Sequence, residues 1–309
     1  MFISRLKNSL ANYDRFAEHR INGLKAVFVL ELLFGFNYVF GMPNPYFYYF
    51  YIPLTAFAAE LIGNTLQEKY LFYFFTVMGS ILAVFCFGVF SSYKIFFIFF
   101  VFFYSIWLYF TALYFLKSML VPVPLILSLA VYSMTYGDTN SNFYIALNHG
   151  LQTFVAMLVV FAGLFLFPKT YYLSIWRRGF YNALSSMEAI TLAVSHSRDI
   201  DVLIIPGTLI MERYAKMISR RDKYFSVLKI TLLSLDLVMA MSYLVSFRKQ
   251  LRTPYIVVLH KYLVLLKEHC FERKVVFIAE HERSVFQETY ELRILYQLIN
   301  SWNYLCSQN

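Results

Sequence analysis

From Leu24 to Phe167 the chain runs as long apolar blocks separated by short polar breaks. A helix that crosses a bilayer needs about 20 largely apolar residues. Six stretches meet or approach that requirement: Leu24–Gly41, Tyr46–Leu66, Tyr70–Phe90, Ile95–Leu116, Val121–Tyr136 and Phe143–Phe167. The breaks are turn-like: Met42-Pro43-Asn44-Pro45, Gln67-Glu68-Lys69, Ser91-Ser92-Tyr93-Lys94, Lys117-Ser118, and Gly137 to Ser141. Connections this short make consecutive spans antiparallel neighbours. The fifth stretch opens with Pro122 and Pro124, which fits either a helix broken at one end or prolines in its first turn.

After Pro168 the pattern changes. Trp176, Phe180, Leu184, Met187 and Thr191 recur at three- and four-residue steps, the period of an amphipathic helix. Further helices are expected after Thr253-Pro254 and near Val275, and the alternating charges from Glu280 to Arg293 read as a solvated outer face. Phe225–Phe247 is nearly long and apolar enough for a seventh span but is interrupted by Lys229, Asp236 and several serines. A charge near the centre of a span costs about 3 kcal/mol, so this segment is assigned to the core of a soluble helical region. The expected fold is an all-α membrane protein, a six-helix transmembrane bundle over 24–167 followed by a cytoplasmic helical domain over 168–309.

Composition agrees with a membrane chain: 60% of residues are hydrophobic, 20% aromatic and only 15% charged, against roughly a quarter charged in a soluble domain. The formal net charge is +9. From Pro168 onward there are 19 Lys and Arg against 12 Asp and Glu, whereas Leu24 to Phe167 holds four of each. The surplus suits the anionic lipid of an inner leaflet. Nucleic acid, the other usual partner of a basic protein, is disfavoured, because no recognition-helix motif and no aromatic-basic interleaving occur. Residues 1–23 alternate charges such as Arg5, Lys7, Asp14 and Arg20 with Phe2, Leu6 and Leu10, and read as an amphipathic surface segment, not a cleaved signal peptide. Arg5, Lys7, Arg15, Arg20 and Lys25 precede the first span, and Lys169, Arg177 and Arg178 follow the sixth. With an even number of spans, both termini are then predicted to be cytoplasmic.

No phosphate loop, GxGxxG turn, HExxH pair or GxSxG elbow is present, so an enzyme and a self-sufficient ATP-driven pump are disfavoured. No cofactor is implied. The cysteines Cys86, Cys270 and Cys306 lack CxxC spacing, and His260, His269, Cys270 and His281 match no familiar metal spacing. Ionisable groups inside apolar spans say more, because they are costly there and usually face a bundle interior or a water-filled path. Glu31, midway along the first span, and Glu60 in the second are candidate proton or substrate sites. In the sixth span Asn142, His149, Gln152 and Thr153 form a polar stripe that continues into Ala156 and Gly163. It should face protein or water, and interhelical hydrogen bonding is its structural explanation. Thr76, Gly79, Ser80 and Ala83 make a small-residue stripe on the third span suited to close packing.

Arg20 to Ala26 leading into the first span, the Pro43-Asn44-Pro45-Tyr46 turn, Gly79 in the third span and a closing Phe167-Pro168 before long helices resemble the fusaric acid resistance and aromatic acid exporter family. The chain looks like a half-length, single-unit member, since two-halved exporters carry two such units. The resemblance implies a multi-pass protein of the bacterial inner membrane, export of aromatic or other weak organic acids driven by the proton gradient, a homodimer and a periplasmic membrane-fusion adaptor. Where the second and third spans meet, the family pattern places arginines, and this chain has only Lys69 beside Glu68. The alternatives are a passive organic-anion channel, similar in layout to plant aluminium-activated malate transporters, and a non-transporting scaffold subunit of an envelope complex. Glu31 and Glu60 favour coupled export, because buried carboxylates repel anionic cargo in a passive pore.

Overall fold

A computed structural model describes residues 14–41, 52–61, 65–116, 120–136, 143–168, 170–195, 206–218, 225–246 and 253–308. Among them there are eleven α-helices and no strand: α1 Glu18–Phe40, α2 Ile52–Leu61, α3 Leu66–Phe90, α4 Lys94–Leu116, α5 Pro122–Tyr136, α6 Phe143–Leu166, α7 Thr170–Ser195, α8 Pro206–Ile218, α9 Phe225–Ser246, α10 Thr253–Glu272 and α11 Tyr290–Ser307. They form two compact units, one from His19 to Pro168 and one from Lys169 to Asn309 together with Met1–Glu18.

In the first unit α3 is the central helix, and α2, α4, α5 and α6 all pack against it. Its start is set by a capping box: the Thr65 hydroxyl accepts from the Glu68 amide at 3.2 Å, and the Glu68 carboxylate accepts from the Thr65 amide. Gln67-Glu68-Lys69, expected to be a loop, is therefore the first turn of α3. Lipid tails are as apolar as leucine, so helices in a bilayer associate by close packing, and the small residues of α3 supply it. Thr76, Ser80 and Ala83 are fully buried, Gly79 lies under Ile126 of α5, and Gly88 lies against Ala146 of α6. Phe87, also fully buried, meets Phe97, Phe100 and Tyr104 edge-on. Other large apolar side chains of α4, among them Ile95, Phe103, Phe110 and Tyr114, point away from the unit.

Among the described residues five helices are long and apolar enough to cross a membrane: α1, α3, α4, α6 and α9. They fit a multi-pass membrane protein, and α1, α3, α4 and α6 fall on stretches expected to span. α5 has 15 residues, about 22 Å at 1.5 Å per residue, short of a hydrocarbon core about 30 Å thick. It begins at Pro122, so both prolines sit in its first turn. Of the stretch expected as the second span, only α2 and Thr65–Leu66 are described, and Leu66 already belongs to α3. α1 begins at Glu18, not Leu24, just after Ala17 with its φ of 62°; the remainder of the amphipathic segment, residues 1–13, lies outside the described residues, as does the Pro43–Tyr46 turn. α9 meets the same length and composition test although Lys229 and Asp236 lie within it.

α9 packs against α7, α8 and α11 in the second unit. Trp176 of α7 is fully buried, stacks on Phe180 at 5.5 Å and donates its indole N–H to Thr231 of α9 at 2.8 Å. Leu184, Met187 and Thr191 continue that buried face, as their spacing predicts. α7 and α8 cross closely where a Cβ on Gly207 would lie 2.5 Å from the Gly179 carbonyl oxygen. No helix starts near Val275. Instead, residues 274–279 run without helix, held by Asn303 of α11, which exchanges two 2.8 Å hydrogen bonds with the Val276 backbone. Glu280–Glu282 and Val285–Gln287 form single 3-10 turns.

Candidate intramembrane polar site

The buried side of α1 is the line Ile21, Lys25, Val29 and Leu33. Glu31 is two residues past Val29, about 200° around the helix at 3.6 residues per turn. It is exposed, in a file with Leu24, Val27, Phe34 and Tyr38, and has no hydrogen-bond or ion-pair partner among the described residues. Glu31, Gly35 and Tyr38 thus lie on the outer face of α1. Glu60 belongs to α2, and its side chain lies outside the described residues.

On α6, Thr153 is fully buried and donates to the His149 carbonyl at 2.8 Å, while His149 and Gln152 are half-buried at its flanks. Ala156 and Gly163 continue the buried line. Asn142 lies outside the described residues. α1 meets α6 at Gly163, where an added Cβ would touch Val29 and Leu32. His149 is fourteen residues earlier, about 21 Å along α6, so Glu31 and the His149–Thr153 turn are separate places within one chain.

Several buried polar groups of the first unit escaped the sequence reading. Lys25 is 4% exposed, with its ammonium nitrogen 5.8 Å from the centre of the Phe167 ring. It shares an every-fourth-residue line with Ile21, Val29 and Leu33, but the other faces of α1 are as apolar, so the line by itself gave no signal. Tyr73 stacks on Phe161 at 5.5 Å and donates to the Met157 carbonyl, and Tyr104 donates to the Gly79 carbonyl at 3.1 Å. The fully buried Ser80 hydroxyl has no hydrogen-bond partner among the described residues. Tyr73 joins α3 to α6 and Tyr104 joins α4 to α3, contacts between helices that no local pattern reveals.

The residues weighed for a metal are committed elsewhere. His260 bonds Thr191 at 3.0 Å, His269 bonds the Val275 carbonyl at 3.1 Å, and the Cys270 thiol lies against the Arg177 carbonyl. Among the described residues no three His, Cys, Asp or Glu side chains are grouped to hold a metal ion. The second unit is instead tied by ion pairs. Lys267 bonds Glu188, which raises the lysine's pKa above its ordinary value. Glu282 accepts from Lys261 at 2.8 Å and from Tyr262, and these bonds hold its carboxyl below the usual range.

Comparisons with protein-family models, curated proteins and solved structures found no match to this chain. The class defined by its own residues is an all-helical protein with several apolar helices suited to a membrane.

Proposed function

We propose that the chain is the membrane component of a proton-coupled exporter of aromatic or other weak organic acids. It would act in a bacterial inner membrane as a homodimer, with both termini cytoplasmic, the second unit outside the bilayer, and a periplasmic adaptor extending the route. The observation that carries this reading is Glu31. An unpartnered carboxyl group halfway along an apolar helix, on its outer face, would meet lipid in an isolated chain. Such placement costs about 2.5–3.5 kcal/mol on insertion scales, and a second copy packed over Gly35 and Tyr38 would relieve it. Glu31 would then stand in a seam between two copies, where an ionisable group in a membrane serves a proton path.

The charge on the neighbours of α9 supports keeping the second unit in water, since α8 alone presents Arg213 and the exposed Glu212–Lys216 pair. The test is uptake or efflux of aromatic acids in proteoliposomes with an imposed pH gradient. Glu31→Gln preserves shape, so it should keep abundance and particle size yet abolish the dependence of flux on the gradient. Unaltered gradient-driven flux in Glu31→Gln would remove Glu31 from the mechanism.

A scaffold subunit is the second reading, favoured by three bundle hydroxyls that bond within their own helices. Thr76, Ser133 and Thr153 each donate to a carbonyl of their own helix. Absence of flux for every acid tested, with the protein abundant and folded, would select the scaffold.

A further inference from the structure

Helix α9 is divided cleanly into two sides. Val227, Ile230, Thr231, Ser234, Leu237 and Met241 are buried within the second unit. The opposite side carries Phe225, Lys229, Leu232, Asp236, Met239 and Tyr243, all exposed. Their spacing alternates strictly between four and three residues, which is the spacing of a helix-pairing seam. The apolar members are far from covered: Phe225 is 63% exposed, Leu232 54%, Met239 71% and Tyr243 56%. Neither Lys229 nor Asp236 has a hydrogen-bond or ion-pair partner among the described residues.

We infer that this stripe is a contact between two copies of the chain, in which α9 pairs antiparallel with α9 of the partner about a two-fold axis at Leu232. The sequence of the stripe is self-complementary in that register and in no need of a second kind of surface. Leu232 meets its own counterpart. Three residues before it, Lys229 faces Asp236 of the partner copy, and the two-fold axis repeats that pair in reverse. Phe225 then faces Met239 of the partner copy. A two-fold contact uses the same patch twice, so it needs opposite charges placed symmetrically about its centre, and Lys229 and Asp236 stand three and four residues on either side of Leu232. Large exposed apolar residues grouped along one face mark an interaction surface, and the two charges between them set its register. A lipid surface fits the same stripe poorly, because an anionic headgroup layer that attracts Lys229 repels Asp236.

The inference concerns α9 alone and does not depend on transport. It shares with the exporter reading only the presence of two copies, so a dimer without flux leaves it intact, and flux without an α9 contact overturns it.

The full-length protein in detergent and in nanodiscs provides the test, with molar mass read by light scattering or mass photometry. The parent chain should be dimeric. Lys229→Glu and Asp236→Lys each place like charges opposite one another and should weaken dimerisation at least about tenfold, the factor supplied by about 1.4 kcal/mol. The double swap Lys229→Glu with Asp236→Lys should restore the dimer, which also shows that the single variants fold. Leu232→Cys should form an intermolecular disulfide under mild oxidation, where the parent with its three native cysteines does not. A monomeric parent, single variants with parental mass, or a double swap that stays monomeric would each overturn the pairing. So would quenching of a fluorophore on Leu232→Cys by brominated lipid, which would assign the stripe to the bilayer.

Discussion

Replacing Gly88 by alanine isolates what the central helix of the bundle requires. A Cβ at Gly88 would lie 2.8 Å from the Cβ of Ala146 and 3.3 Å from its Cα. Ala146 has no rotamer to change, so relief requires α6 to move away from α3. Overpacking of this kind costs about 1–3 kcal/mol, offset by the gain of about 1 kcal/mol for alanine over glycine within a helix. The net is a loss centred on about 1 kcal/mol, within a span of about 0–2, or a fall of about 2–4 °C in midpoint at about 2–4 °C per kcal/mol. Gly79 is the internal comparison. Its added Cβ would meet the Ile126 Cδ1 at 2.6 Å and only then the Cγ1 at 3.4 Å. That terminal methyl swings aside cheaply, so Gly79→Ala should lie within about 1 kcal/mol of the parent. The assay is the fraction of monodisperse protein surviving a temperature series in detergent, read by size-exclusion chromatography. Ala146→Gly combined with Gly88→Ala removes the clash and should return the midpoint close to the parent. A Gly88→Ala protein as stable as the parent, or one whose loss Ala146→Gly does not relieve, would refute the close α3–α6 approach.

Two further outcomes concern the second unit. Thr231→Val keeps the shape of the side chain but leaves the buried Trp176 N–H without its 2.8 Å acceptor, which should cost about 1–3 kcal/mol. Urea unfolding followed by tryptophan fluorescence checks this, and an unchanged midpoint contradicts it. For pH, the Glu282 carboxyl is held below its ordinary range first by Lys261 and then by Tyr262. Its stabilisation is therefore complete above the unfolded value of about 4.3 and is lost as pH falls through the lower folded value. The thermal midpoint should carry a Glu282 contribution from pH 8 down to about pH 5 that fades below about pH 4. Glu282→Gln should lower the midpoint on the plateau and converge with the parent in acid, and a constant offset at every pH would show that the ion pair is not its source.

The reach of the sequence followed the physics of each signal. Long apolar runs announced α1, α3, α4 and α6, because hydrocarbon demands unbroken apolar length whatever surrounds the helix. The period from Trp176 to Thr191 identified the buried side of α7, because its other side meets a polar surrounding. The Thr65–Glu68 capping box was written in four residues, and its geometry shows why a charged triplet counted as a loop is helical. Elsewhere the local pattern was silent. A helix in lipid is apolar on both sides, so periodicity could not say that Lys25 turns inward and Glu31 outward on α1. That was decided by where α1 meets Gly163 of α6. Likewise Lys229 and Asp236 count against a span in a linear tally, yet they sit on one exposed side of α9 while Trp176 bonds Thr231 on the other. Composition determined the class of environment and the helical content. Which face of each helix is covered, and therefore where Glu31 and the α9 stripe can act, was set by contacts between residues distant in the chain.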